Sequence, residues 1–419
     1  MVDKSVLQNG VRILSERLDH FRSVSLGIWI GVGSRDEGEK ENGISHFIEH
    51  MIFKGTGTRT SDQIARELDA IGGLSNAFTS TEYTCFHSRV LDKHFGNLIE
   101  ILSDIFLHSV FDPEEMDRER QVILQEINML EDTPDEHIHV LFNVLHWMNH
   151  PLGMPVLGTP VTVSAIHREN LLRHFERFCV PERILLVAAG NIEHQELVDC
   201  LEPLFESLRP LSAEPPRSRP DSYGGISCHY KDLEQVHVCL GGKAPHLTSD
   251  LRFAGAVLNT ILGGNMSSRL FQEIRERRGL AYSVYSFLSS YIDAGLLGVY
   301  LATDRPHVNE TLEIIRKEIR KIQNGEISES ELKATKEHLV GSILLSGEST
   351  DARMMRLAKN EYVFGRYVDY DEVISLVEGV NLDEVVAVAQ ESFREGSVSL
   401  VTLGPFEREE LDMGCLQFS

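Results

Sequence analysis

A proline-rich stretch, Arg209-Pro-Leu-Ser-Ala-Glu-Pro-Pro-Arg-Ser-Arg-Pro-Asp-Ser-Tyr-Gly-Gly225, divides the chain into two parts of about two hundred residues that resemble each other. It holds four prolines and no apolar periodicity, the pattern of an extended linker. Each part opens on strand-like material: Val24-Ser-Leu-Gly-Ile-Trp-Ile-Gly-Val in the first, Gln235-Val-His-Val-Cys-Leu-Gly in the second. Further on, Leu98-Ile-Glu-Ile-Leu parallels Leu312-Glu-Ile-Ile-Arg. With Met116 set against Leu332, Val122-Ile-Leu-Gln-Glu-Ile127 falls on His338-Leu-Val-Gly-Ser-Ile343. The pattern predicts an internal duplication of α+β units: a domain at 1–208, a linker at 209–225 and a second domain at 226–419.

The 419 residues carry 40 Lys and Arg against 64 Asp and Glu, a formal net charge of −24. Residues 1–210 contribute −15 of it and the remainder −9. Nucleic acid is not expected as a partner, because phosphate binding needs a basic footprint. No run is apolar enough for a membrane span. The start, Met1-Val-Asp-Lys-Ser-Val-Leu, lacks the apolar segment of a signal peptide. The expected location is the cytoplasm. Six cysteines without a C-x-x-C pair read as buried or idle thiols in a reducing compartment.

One motif carries chemistry. His46-Phe-Ile-Glu49-His50 lies in an apolar-periodic stretch that stops near Lys54-Gly55, which predicts a short helix. Positions i and i+4 share a helix face, so His46 and His50 can present two imidazoles to one ion. This is H-x-x-E-H, the inverse of the zincin H-E-x-x-H. Two imidazoles and a carboxylate suit Zn²⁺, and a nearby carboxylate outside the ligand set can take a proton from water. A helix that merely carries these residues gives the same pattern, and the motif still needs a third ligand.

Downstream, Asp112-Pro-Glu-Glu-Met-Asp-Arg-Glu119-Arg-Gln-Val-Ile-Leu-Gln-Glu126 begins like a helix, with proline in the first turn and acids around it. Glu119 and Glu126 are seven apart and share a face. Glu126 sits among apolar neighbours, where a carboxylate wants a cation or donor. The alternative is a surface acid, since residues 112–136 contain ten Asp and Glu.

These residues resemble those of the two-domain pitrilysin-type zinc peptidases, the M16 family. The likeness is greatest to short bacterial members similar to the catalytic β subunit of the mitochondrial processing peptidase. His46-Phe-Ile-Glu-His50 matches the inverted zinc motif, and Glu126, 76 positions after His50, matches the distal ligand. Glu119 matches a supporting acid two helical turns earlier. Asn76, Ala77, Phe78 and Thr79 match the active-site edge strand. Arg275 and Tyr282, in Leu262-Gly-Gly-Asn-Met-Ser-Ser-Arg-Leu-Phe-Gln-Glu-Ile-Arg275-Glu-Arg-Arg-Gly-Leu-Ala-Tyr282, match an arginine and tyrosine that reach the substrate.

The resemblance implies two homologous α/β-sandwich domains closing as a clamshell, the duplicated fold of this family, and one zinc per chain. By the repeat register Glu126 falls on Ser342 and Glu119 on Thr335, while Arg269 and Gln272 stand near the counterpart of His46–His50. The second half is therefore expected to lack the metal. The implied activity is that of a zinc endopeptidase acting on short or unfolded peptides, with the acidic first half favouring basic, presequence-like ones. In it Glu49 is the base, Tyr282 an oxyanion donor and Arg275 a carbonyl holder. An extended peptide can add to the edge strand by main-chain pairing. The rival is a non-catalytic or partner-dependent subunit, which normally loses the H-x-x-E-H set. A homodimer is the expected assembly. The histidines at 137, 139, 146 and 150 are expected to be solvated or helix-ending. No G-x-S-x-G supports a serine nucleophile.

Overall fold

The computed structural model describes residues 2–209 and 217–418; of the linker expected at 209–225, residues 210–216 lie outside the described residues. The chain is α+β and divides into two compact units.

The first unit is built on β1 (Val2–Val6), β2 (Arg12–Arg17), β3 (Ser23–Ile30), β4 (Leu74–Thr79), β5 (Thr84–Leu91) and β6 (Ile184–Gly190). Their order in the sheet is β1-β2-β6-β3-β5-β4. Only β2 and β6 run parallel; the other neighbours are antiparallel. Alternation along β3 sorts its side chains. Val24, Leu26, Ile28 and Ile30 enter one core, and Trp29 enters the core on the opposite face. Against the first face lie α1 (Ile44–Ile52), α2 (Ser61–Ala70) and α3 (Phe95–His108). α4 (Pro113–Glu131) follows and inserts Met116, Ile123 and Ile127 into the same core. Each such side chain contributes roughly 1.5–3 kcal/mol by leaving water.

The second unit carries β7 (Gly225–Tyr230), β8 (Val236–Lys243), β9 (Ala281–Ser290), β10 (Gly295–Thr303) and β11 (Ser399–Gly404), in the order β7-β11-β8-β10-β9. Its one parallel pair, β7 with β11, matches β2 with β6. The five-strand pattern β2-β6-β3-β5-β4 is thus repeated, and β1 is an addition to the first sheet. Helix Glu329–Ser346 repeats α4 in the expected register, Pro113 against Glu329.

The units are not two uninterrupted halves. The first comprises residues 1–129, 154–217 and 346–367; the second comprises 130–153, 218–345 and 368–419. Two helices have exchanged sheets. Helix Thr350–Phe364, from the second half, sets Met354, Leu357 and Ala358 against Leu14, Trp29, Leu185 and Val187. α5 (Pro134–His146), from the first half, sets Ile138 and Phe142 against Cys239, Leu296 and Val401. An amphipathic helix needs an apolar face to cover, and its sequence does not say which sheet provides it.

Burial also corrects the reading of the histidines. His146 ends α5 as expected, but it is wholly buried, with Nδ1 3.1 Å from Ser399 Oγ. His139 stacks on Tyr285, its Nε2 2.9 Å from the phenol oxygen. His150 is half-buried, its Nε2 3.0 Å from Ser218 Oγ. All six cysteines are free, and Cys85, Cys239 and Cys415 are buried. Among the described residues no helix is long and apolar enough to cross a membrane.

Candidate metal centre

α1 forms where the motif predicts it. Ile44, Phe47, Ile48, Met51 and Ile52 face the core, which leaves His46, Glu49 and His50 toward α4 and β4. Its N-cap is Gly43, at φ 94°, where a Cβ would stand 2.7 Å from the Leu157 carbonyl oxygen. The close approach excludes a side-chain cap at this position, and the capping task passes to Glu37. Glu37 Oε2 accepts from Gly43 N at 2.7 Å and from Asn42 Nδ2 at 3.0 Å, and Oε1 accepts from Ser45 N at 2.9 Å. Complete burial pushes the Glu37 carboxyl up to about 7, against the pull of these hydrogen bonds.

His46, His50 and Glu126 each bring a ligand atom to one place, all within 4.8 Å of one another; among the described residues this is the one such group. Glu126 Oε2 lies 3.7 Å from His46 Nε2 and 3.5 Å from His50 Nε2. These separations are too long for good hydrogen bonds. They match the spacing of about 3.4 Å between ligands placed tetrahedrally at zinc-type bond lengths. Burial, with a smaller contribution from His50, pushes the His46 imidazole down to about 3, so the ring is neutral and able to ligate. His46 Nδ1 is buried with no hydrogen-bond partner. Such an orphan costs about 1–3 kcal/mol.

His50 is oriented from behind. Its Nδ1 meets Glu119 Oε2 at 3.0 Å, and the other Glu119 oxygen accepts from Lys54 Nζ at 2.6 Å. Burial pushes the Glu119 carboxyl upward, but the bonds from Lys54 and His50 outweigh it and hold it below the usual range. An ionised carboxylate only accepts, so His50 Nδ1 donates, which leaves Nε2 as the ring nitrogen turned toward Glu126.

Glu49 stands beside this group. Burial raises its carboxyl, partly countered by a 2.6 Å hydrogen bond from Thr79 Oγ1. Thr79 ends β4, which lies at the end of the sheet and pairs with β5 alone among the described strands. Asn76 is exposed on that strand, while Ala77, Phe78 and Thr79 are half-buried. A cleft of about 400 Å³ runs between α1, α2 and β4, lined by Glu49, His50, Lys54, Leu68, Asn76 and Glu119 among others.

Arg275 and Tyr282 belong to the second unit. Arg275 closes a π-helical turn, Phe271–Glu276, and its guanidinium carbon lies 4.5 Å from the centre of the Tyr282 ring. Tyr282, in β9, is 79 % exposed. Near the counterpart of the metal group, Arg269 is clamped by Glu331 at 2.7 Å. Gly263 ends the preceding helix, where a Cβ would stand 2.4 Å from Ser286 N.

Sequence reasoning missed Glu37 and Lys54. Lys54 follows His50 at i+4, a spacing that could have flagged it. For Glu37 the available signal was indirect: a helix start with glycine where a capping side chain belongs.

The chain is thus built of two duplicated α+β units, one of them with an H-x-x-E-H helix facing a carboxylate helix. Residues 12–160 match the family profile described as Insulinase (Peptidase family M16), and residues 165–339 match the one described as Peptidase M16 inactive domain. The chain is 41% identical over 395 residues to a Bacillus subtilis protein named as the uncharacterized zinc protease YmxG, covering 94% of this chain and 96% of that one. It is 37% identical over 410 residues to a Mycobacterium leprae protein also named as a zinc protease, covering 97% and 92%. The chain therefore belongs to peptidase family M16. A Helicobacter pylori protease structure shares the fold at a TM-score of 0.90 and 22% identity, covering 97% of this chain and 99% of that one.

Proposed function

We propose that this chain is a zinc-dependent endopeptidase in which His46, His50 and Glu126 hold one metal ion and Glu49 is the general base. The observation that carries the reading is the convergence of three ligand atoms within 4.8 Å, with Glu49 one residue from His50 and outside the group. The names of the relatives, zinc proteases, support the choice of metal. When bound, zinc supplies a Lewis acid that polarises a carbonyl and makes water a nucleophile near neutral pH.

The chain's own residues do the rest. Glu49 is raised by burial toward the range where a carboxylate can take a proton and return it. Thr79 fixes the carboxylate by donating to Oε2. Glu119 fixes the tautomer of His50. The free edge of β4 at Asn76–Thr79 offers main-chain groups to an extended peptide, so short or unfolded chains are the substrates. Arg275, half-buried with its guanidinium over the exposed Tyr282 ring, and the Tyr282 hydroxyl offer hydrogen-bond donors to a peptide carbonyl. The acidic first half favours basic peptides. The intact histidine and glutamate set argues against a non-catalytic subunit.

Removal of metal tests this reading. Dialysis against a chelator is expected to abolish hydrolysis of a quenched peptide, and one equivalent of zinc to restore it. Hydrolysis that survives complete metal removal would contradict it.

A further inference from the structure

Lys54 lies just past the end of α1, outside the H-x-x-E-H motif, yet its ammonium is 2.6 Å from Glu119 Oε1. Glu119 is buried on α4, with 9% of its side chain exposed. A carboxylate so placed needs an opposite charge, and its two oxygens divide the work: one meets Lys54, the other meets His50 Nδ1. The division fixes the carboxylate plane. With Oε1 tied to Lys54, Oε2 has little freedom except to face the imidazole. Lys54 also lines the cleft beside α1, so its ammonium reaches Glu119 from the open side while α4 supplies the buried side.

We propose that Lys54 is a positioning residue for the metal group: it clamps Glu119 so that this carboxylate aligns His50 for ligation. The inference rests on the reading that His50 is a metal ligand. Lys54 acts through Glu119 and stands outside the group of ligand atoms. The geometry therefore makes a specific statement about coupling. Lys54 matters to metal binding only while Glu119 is present to be clamped.

The test is a double-mutant cycle on zinc affinity, read by competition with a chromophoric chelator. The proteins are wild type, Lys54→Met, Lys54→Arg, Glu119→Gln and the Glu119→Gln/Lys54→Met double variant. Groups that orient a metal-binding histidine typically change affinity by about 10- to 100-fold. Lys54→Met is expected to weaken zinc by about tenfold, and Lys54→Arg, which keeps the charge, to recover most of that loss. In the Glu119→Gln background, Lys54→Met is expected to change nothing beyond about twofold. A purely structural lysine would move affinity equally in both backgrounds, and that result overturns the proposal. So does wild-type affinity in Lys54→Met. Should Lys54→Met fail to fold, the comparison of Glu119→Gln with the double variant decides, because neither leaves the Glu119 charge unpaired: equal affinities are expected, and a further tenfold loss is contrary. If the wild-type chain itself binds no zinc, the metal reading falls as well. If wild type binds and Lys54→Met binds equally, only this inference falls.

Discussion

Thr79 Oγ1 donates a 2.6 Å hydrogen bond to Glu49 Oε2 and so ties the acid of the H-x-x-E-H helix to the edge strand on which a peptide would lie. One side chain thus connects the proposed base to the proposed substrate track. Replacing Thr79 by Val keeps the branched shape and removes the donor. A hydrogen bond to a charged group is worth about 1.5–3 kcal/mol. Thr79→Val is therefore expected to lower kcat about 10- to 100-fold with zinc content unchanged. Steady-state kinetics beside metal analysis checks this; a fall in metal content instead would mean that Thr79 supports the ligands.

The capping of α1 gives a pH prediction. Glu37 has a folded-state value raised to about 7 from an ordinary 4.5. Between these values the folded state holds more protons than the unfolded state, so this group makes stability fall as pH rises from about 4.5 to 7. In Glu37→Gln that component is absent. The wild type is expected to lose a few kcal/mol relative to the variant across this window. Chemical denaturation of metal-free protein at pH 5 and pH 7.5 measures it, and a wild-type-to-variant difference that stays constant with pH would show that Glu37 titrates normally.

The exchanged helix predicts a stability effect far from the metal. Met354 is buried beneath Trp29, whose Nε1 lies 3.3 Å from the Met354 sulfur. Met354→Ala is expected to cost about 2–5 kcal/mol. It should lower the unfolding midpoint of the first unit, although residue 354 belongs to the second half of the sequence. Hydrogen exchange in β3 and β6 reads it directly: faster exchange there is expected, and unchanged exchange would contradict the packing.

Charge predicts a substrate bias. Residues 1–210 carry net −15. Among unstructured peptides of one length, those with several Lys or Arg are expected to show several-fold higher kcat/KM at low salt than neutral ones. The advantage should shrink as ionic strength shortens the Debye length from about 30 Å at 0.01 M toward about 8 Å at 0.15 M. Equal kcat/KM at all salt concentrations would remove electrostatics from the account of specificity.

Much of this arrangement is legible in the sequence. The i, i+4 histidines and the seven-residue spacing of Glu119 and Glu126 each specify a helix face, and the structure brings those two faces together. Repeated strand and helix patterns announce two sheets of one topology. What is not legible is long-range. Periodicity marks α5 and helix Thr350–Phe364 as amphipathic but does not assign them to the sheet of the opposite half. His146 looks like a polar helix end, and only its packing against Ser399 shows it as core. Glu37 looks like one acid among many, because the close approach of Gly43 to Leu157 that requires a distant cap is a tertiary fact.

The central claim is that Glu49 is a base beside a metal it does not hold. The most direct measurement is hydrolysis of an Arg-containing quenched peptide by wild type and Glu49→Gln, with zinc determined on the same samples. One zinc per chain in both proteins is expected, with kcat/KM of the variant lower by about 10²- to 10⁴-fold. Full activity in Glu49→Gln, or loss of its zinc, would contradict the assignment.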